Sequence, residues 1–182
     1  MIRAFLGLAL PPAIMSALTV QQFLLPLPRR TPPEQFHLTL VFLGEVSEPV
    51  LEAAHEGFAR LMVQPLTLSL AGMGLFGGER PRAVWAGLSP APGLLALQAR
   101  AERVARQAGC PVPSRRFHPH VTLGQFPPPP RDVALRLERA VAEASGFAAG
   151  PWQVRAMTLW QSHLGPKGAR HDILAEYPAG GG

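Results

Sequence analysis

The pattern His-x-Thr-Leu is written twice in this chain, within FHLTL at 36–40 and within HPHVTL at 118–123, with 83 positions between His37 and His120. Side chains alternate faces along an extended strand, so His37 and Thr39 point one way while Leu38, Leu40 and Phe42 point the other. His120 and Thr122 repeat the arrangement, with Val121 and Leu123 behind them. Each stretch therefore reads as a half-buried strand with an apolar back and a polar front.

The surroundings of the two stretches also match. Periodicity predicts strand 2–10, helix 12–25, strand 36–43, helix 48–62, strands 66–72 and 82–88, helix 92–108, strand 117–125, helix 131–145 and strands 152–161 and 169–175. Both halves thus run His-x-Thr strand, helix, strand, loop, strand. The loops FGGERPR (76–82) and LGPKGAR (164–170) each place an Arg five residues after a Gly, and Gly77 to Gly165 and Arg82 to Arg170 are both separated by 88 positions. A near-constant offset is what an internal duplication leaves. The fold class that follows is α+β: one domain spanning 1–182, built as two pseudo-symmetric lobes. Each lobe, one per half, is an antiparallel sheet with helices on its outer face, and the two flank a central cleft.

Two imidazoles and two hydroxyls facing one cleft suit phosphoryl chemistry. With an ordinary pKa of about 6.5, one ring can take a proton while the other, charged, gives one. The threonine hydroxyls would hold non-bridging phosphate oxygens as charge shifts. A metal centre would need three or four ligands, and no acidic residue or cysteine accompanies either pair at ligand spacing, so no metal is expected. A single His-x-Thr strand would read as a core histidine; two on matching strands do not.

Composition adds little about partners and more about compartment. The formal charge is +5, and 16 of the 17 basic residues are Arg, which is compatible with a phosphate-bearing ligand, although no dense basic run occurs. The 47% of apolar residues are enough for a core without disulfides, and Cys110 stands alone, as in proteins of a reducing compartment. The opening MIRAFLGLALPPAIMSA, with Pro11 and Pro12 directly after its apolar run, reads as a strand feeding a proline-started helix rather than a signal peptide. No apolar run is long enough to span a bilayer. A cytoplasmic monomer without membrane contact is expected.

At this point the chain resembles the 2H phosphoesterases, and within them the RNA 2′,3′-cyclic phosphodiesterases, also called 2′-5′ RNA ligases. RAFLGLALPP, FHLTLVFLGEV, HPHVTLGQF and LWQSHLGPKGARHDIL carry the likeness, which covers nearly the whole chain. The resemblance implies hydrolysis of a 2′,3′-cyclic phosphate on RNA ends or nucleotides to a 2′-phosphate, without metal or cofactor, and reversible 2′-5′ joining of tRNA halves as a further activity. It implies catalytic roles for His37 as proton donor and His120 as proton acceptor, with Thr39 and Thr122. His118, His163, Arg82 and Arg170 are candidate substrate contacts, and Phe76 and Trp160 candidate platforms for a base. His55 reads as a solvated helix residue.

Two positions depart from the family pattern. Gln125 stands where the second motif often has Arg, and His171 where the last hairpin often has Tyr. Arg115, Arg116, Arg82 and Arg170 are the cations that could stand in for the missing charge. The alternative to an enzyme is a catalytically weak nucleotide- or RNA-binding module of the same fold.

Overall fold

The computed structural model describes residues 1–165 and 168–180. In chain order the elements are β1 (Ile2–Ala9), α1 (Pro12–Leu24), β2 (His37–Val46), α2 (Glu48–Ala59), β3 (Thr67–Phe76), β4 (Ala83–Leu88), α3 (Pro92–Gln107), β5 (His120–Gln125), α4 (Arg131–Glu143), β6 (Ala148–Gln153), β7 (Ala156–Gly165) and β8 (Gly168–Pro178). Prolines mark several helix starts, because a proline in the first turn gives up only an N–H that has no partner there. Among the described residues no helix is long and apolar enough to cross a membrane.

The strands run in the order β6-β3-β4-β5-β2-β1-β7-β8, with every neighbour antiparallel. The middle of this sheet is its narrowest join: β2 and β5 pair at one position, Leu38 opposite Val121. On either side lies a four-stranded lobe, β5-β4-β3-β6 and β2-β1-β7-β8. Helices α1 and α4 contact the first lobe, through β6 and β3, and α2 and α3 contact the second, through β8 and β2. The core lies between sheet and helices, where Leu38, Leu40, Val121 and Leu123 join Leu18, Leu94 and Leu137.

The lobes are not the sequence halves. Strands β3 and β4 of the first half lie in the lobe of β5, and β7 and β8 of the second half lie in the lobe of β2, beside β1. Counted outward from the central join, β2 corresponds to β5, β1 to β4, β7 to β3 and β8 to β6. The repeat therefore runs strand, helix, His-x-Thr strand, helix, strand, as β1-α1-β2-α2-β3 and as β4-α3-β5-α4-β7 with β6 inserted before β7, and the strands exchanged between the lobes are β3 and β7. Strands β4 and β8 occupy different positions, so the spacing that pairs Arg82 with Arg170 does not give the two arginines equivalent places.

Two further expectations are corrected. The predicted strand 152–161 is two strands, β6 ending at Gln153 and β7 starting at Ala156, in opposite lobes. WQVRAMT contains no Gly or Pro to mark the crossing, and Trp152, Val154, Met157 and Leu159 are buried on both sides of it. Phe42, expected behind the strand, lies on the cleft side. The β1 partners skip from Thr39 to Val41, so a β-bulge reverses the alternation and sends Val41 and Leu43 into the core instead.

The segment between α1 and β2 is tied to the opposite lobe. The amide of Gln22, 3% exposed, donates to the carbonyls of Thr31 (2.8 Å) and Leu123 (2.6 Å), and the Thr31 N–H donates to the same Leu123 oxygen (2.9 Å). Replacing Gln22 by Leu strips a buried donor from both oxygens. The Gln22→Leu protein should lose about 1–3 kcal/mol of unfolding free energy, read from urea denaturation.

Candidate active site

The single β2–β5 pairing sets the geometry of the site. With Leu38 opposite Val121 in an antiparallel pair, His37 lies across from Thr122 and Thr39 across from His120, all four on the face away from the core. The two His-x-Thr pairs are thus related by a local twofold, each histidine facing the other strand's threonine.

Both histidines open their strands and are held in the same way. The His37 Nδ1–H donates to the Gln35 carbonyl at 2.7 Å, and the His120 Nδ1–H donates to the His118 carbonyl at 2.7 Å. A carbonyl can only accept, so each neutral ring keeps its proton on Nδ1 and leaves the Nε2 lone pair free. At His37 that lone pair accepts the Thr39 hydroxyl, 3.1 Å away.

The rings stand on matching aromatic pairs. His37 packs on Phe5 of β1 (4.7 Å between centroids) and Trp160 of β7 (5.7 Å), and His120 on Trp85 of β4 (6.2 Å) and Phe76 of β3 (4.9 Å). A third imidazole adjoins each: His171 edge-on to His37 at 5.2 Å, and His118 beside His120 at 6.0 Å. Withdrawal from solvent pushes the His37 pKa down to about 4; the Gln35 carbonyl opposes this, while His171 and His120 add to it. His120 is lowered too, chiefly by withdrawal from solvent and then by His118 and Arg115, against the pull of the His118 carbonyl. At neutral pH both rings are therefore uncharged in the free protein.

Positive charge comes from elsewhere. A cleft of about 720 Å³ is lined by His37, Thr39 and Thr122 and by four arginines, Arg3, Arg29, Arg30 and Arg115, with no carboxylate among its described lining residues. The Nε of Arg3 is buried without a hydrogen-bond partner. Gln125 lines the same cleft, as do Phe76 and His171. The arrangement offers hydroxyl donors, guanidinium forks and two proton-transfer groups to an anionic ligand. Among the described residues no group of three or more His, Cys, Asp or Glu is arranged to hold a metal ion.

His120 is not among the lining residues and stands beside the cleft, across from Thr39, and the remaining sequence candidates also fall outside the lining. His118 sits edge-on to Trp85 at 4.6 Å, and its contribution to the site is the carbonyl that holds His120. On the last hairpin, His163 Nε2 and Arg170 Nη2 both approach Asp172 Oδ2, at 3.0 and 2.8 Å. Arg82 and Arg116 are exposed, and Trp160 is buried under His37 rather than open to a base. His55 is not simply solvated, because its Nδ1 meets the Tyr177 hydroxyl at 2.8 Å. Sequence reading missed Arg3, Arg29 and Arg30 as cleft residues. Arg3 was within reach, since strand parity puts it on the face of Phe5; Arg29 and Arg30 lie in a proline-rich connection that has no periodicity to read.

Residues 11–166 match the family model described as the 2′-5′ RNA ligase superfamily. The chain belongs to this superfamily. Among similar proteins, the RNA 2′,3′-cyclic phosphodiesterase of Aeropyrum pernix is 34% identical over 148 residues, covering 80% of this chain and 83% of that one. The Escherichia coli protein of the same name is 33% identical, covering 70% and 76%. The crystal structure of Escherichia coli LigT complexed with 3′-AMP superimposes with a TM-score of 0.78 at 25% identity, covering 98% of each chain. A Thermus thermophilus crystal structure gives 0.80 at 28% identity, covering 97% of each. The two-lobed α+β fold is thus that of the superfamily's solved 2H phosphoesterases.

The histidine environment of this superfamily member makes stability depend on pH with a definite sign. His37 binds a proton more readily unfolded, near 6.5, than folded, near 4, so its contribution is complete above 6.5 and is lost as pH falls towards 4. Unfolding free energy measured across that window should decline with falling pH, and His37→Phe should flatten the decline.

Proposed function

We propose that the chain, acting as a single two-lobed monomer, is a metal-independent RNA 2′,3′-cyclic phosphodiesterase. The observation that carries this reading is the pair of imidazoles on one face of the sheet, each held through Nδ1 by a carbonyl and each across from the other strand's threonine, beside an arginine-lined cleft that His37, Thr39 and Thr122 line. The names of the similar proteins support the same chemistry. The buried, unpaired Cys110 agrees with a cytoplasmic setting.

In the reaction, His120 Nε2 takes a proton from water as its oxygen attacks phosphorus. The P–O3′ bond breaks, His37 Nε2–H protonates the departing O3′, and the product is a 2′-phosphomonoester. Thr39 and Thr122 donate to the non-bridging oxygens. Both rings are neutral before substrate arrives, so it is the bound phosphodiester anion that stabilises a protonated imidazole. Replacing water by a ribose 5′-hydroxyl in the same steps gives 2′-5′ joining: O5′ bonds to phosphorus, P–O3′ breaks and the 3′-hydroxyl is released. A binding-only module is not favoured, because Arg3, Arg30 and Arg115 line the cleft and supply the charge that Gln125 lacks.

In EDTA, the protein should convert 2′,3′-cyclic AMP to 2′-AMP, resolved from 3′-AMP by chromatography. His37→Ala and His120→Ala should each lower kcat by about 10²–10⁴-fold and Thr122→Val by about 10²-fold. Loss of turnover in EDTA, or full activity in either alanine variant, contradicts the mechanism. Direction is tested with a nitrophenyl phosphodiester, whose leaving group needs no proton: His37→Ala should keep most of its activity there and His120→Ala should not.

The profile of kcat/KM against pH reports the free protein's groups, so it should be bell-shaped with its maximum below pH 6.5, where a histidine at about 4 and a second lowered histidine share one proton. The kcat profile should lie at higher pH, because the bound anion raises both rings.

A further inference from the structure

Arg29 is placed by contacts with both lobes. It lies in the connection PLPRRTPP (26–33), stiffened by its prolines and tied to β5 by Gln22 and Thr31. Its carbonyl packs over Gly124, where any side chain would collide with it. Its guanidinium reaches the other lobe: a Cβ on Gly168, at the start of β8, would sit 2.9 Å from Arg29 Nη2. Arg29 therefore crosses the mouth of the cleft from β5 to the last hairpin. Among the described residues its side chain makes no ion pair or hydrogen bond, and the cleft it borders has no lining carboxylate. Its neighbour Arg30 is turned back instead, donating to the Leu25 carbonyl at 3.1 Å.

The position along β8 says which phosphate Arg29 can meet. Gly168 is three residues from His171, about 10 Å along a strand, and it is the His171 ring that lies 5.2 Å from the His37 ring. The guanidinium is thus offset along β8, toward the hairpin end, from the ring that adjoins His37. A cyclic mononucleotide with a free 5′-hydroxyl has no charge to offer there, whereas an RNA strand has the phosphate that joins its terminal nucleoside to the one before.

We infer that Arg29 is a specificity-determining residue, binding the first internucleotide phosphate of an RNA strand whose cyclic phosphate end lies between the two histidines. The inference rests on the proposed cyclic phosphodiesterase activity. It makes the preferred substrate an oligoribonucleotide end rather than a free cyclic nucleotide, and Gln22 the residue that holds the phosphate-binding connection in place.

The test compares kcat/KM for 2′,3′-cyclic adenosine monophosphate bearing a 5′-hydroxyl with that for triadenylate ending in a 2′,3′-cyclic phosphate. The wild-type protein should favour the trinucleotide by about ten- to a hundredfold, the worth of one charge-assisted contact. Arg29→Gln should reduce that ratio to about one, largely through KM, and Arg29→Lys should restore part of it. Loss of one phosphate contact should also remove about 0.7 from the slope of log KM against log salt for the trinucleotide. Hydrolysis of both substrates without preference, or a preference that survives Arg29→Gln, overturns the inference while leaving the activity intact. An equal loss on both substrates means that Arg29 grips the cyclic phosphate itself, and overturns it too. Hydrolysis of neither removes the activity and the inference together.

Discussion

One backbone pairing, Leu38 opposite Val121, holds the site together. The two lobes are broad where strands pair over many residues and narrow where β2 meets β5. Because that one pair lies in the middle of both His-x-Thr stretches, its register alone decides which side chains face each other. A slip of one residue would send His37, Thr39 and their leucines to the wrong faces. The side chains of the pairing residues are themselves fully buried, so the hydrophobic core that favours this register also sets the spacing of the polar groups above it.

The twofold about that pair extends outward into the surroundings of each ring. Phe5 and Trp160 under His37 stand where Trp85 and Phe76 stand under His120, as the exchanged strands β7 and β3 require. The aromatic bed desolvates both imidazoles and keeps them neutral, while the guanidiniums lie on the walls and rim. Charge attraction for an anion and the capacity to move protons are thus given to different residues. If the histidines were the permanent cations of the cleft, neither could serve as a base.

What was legible beforehand was whatever alternation and local punctuation encode. The two polar strand faces, most helices with their prolines and the existence of a repeat follow from residues a few positions apart. The register of β2 on β5, the exchange of β3 and β7, and the bulge that turns Phe42 to the cleft depend on partners far along the chain. Arg29 illustrates the limit well: nothing in PLPRRTPP distinguishes it from Arg30, and only the packing of its carbonyl on Gly124 and of its guanidinium on Gly168 does so. The matched Gly-to-Arg loops show the opposite failure, in which a real repeat spacing led to two arginines that the strand exchange places differently.

The central claim is that His37 and His120 act as a unit on one phosphate. Its most direct test is a double-mutant cycle on turnover, with His37→Ala, His120→Ala and the two combined. Groups that act on the same transition state give grossly non-additive losses, so the double variant should be about as slow as the slower single variant. A double variant whose loss equals the product of the two single losses would mean that the histidines act independently, and would contradict the account.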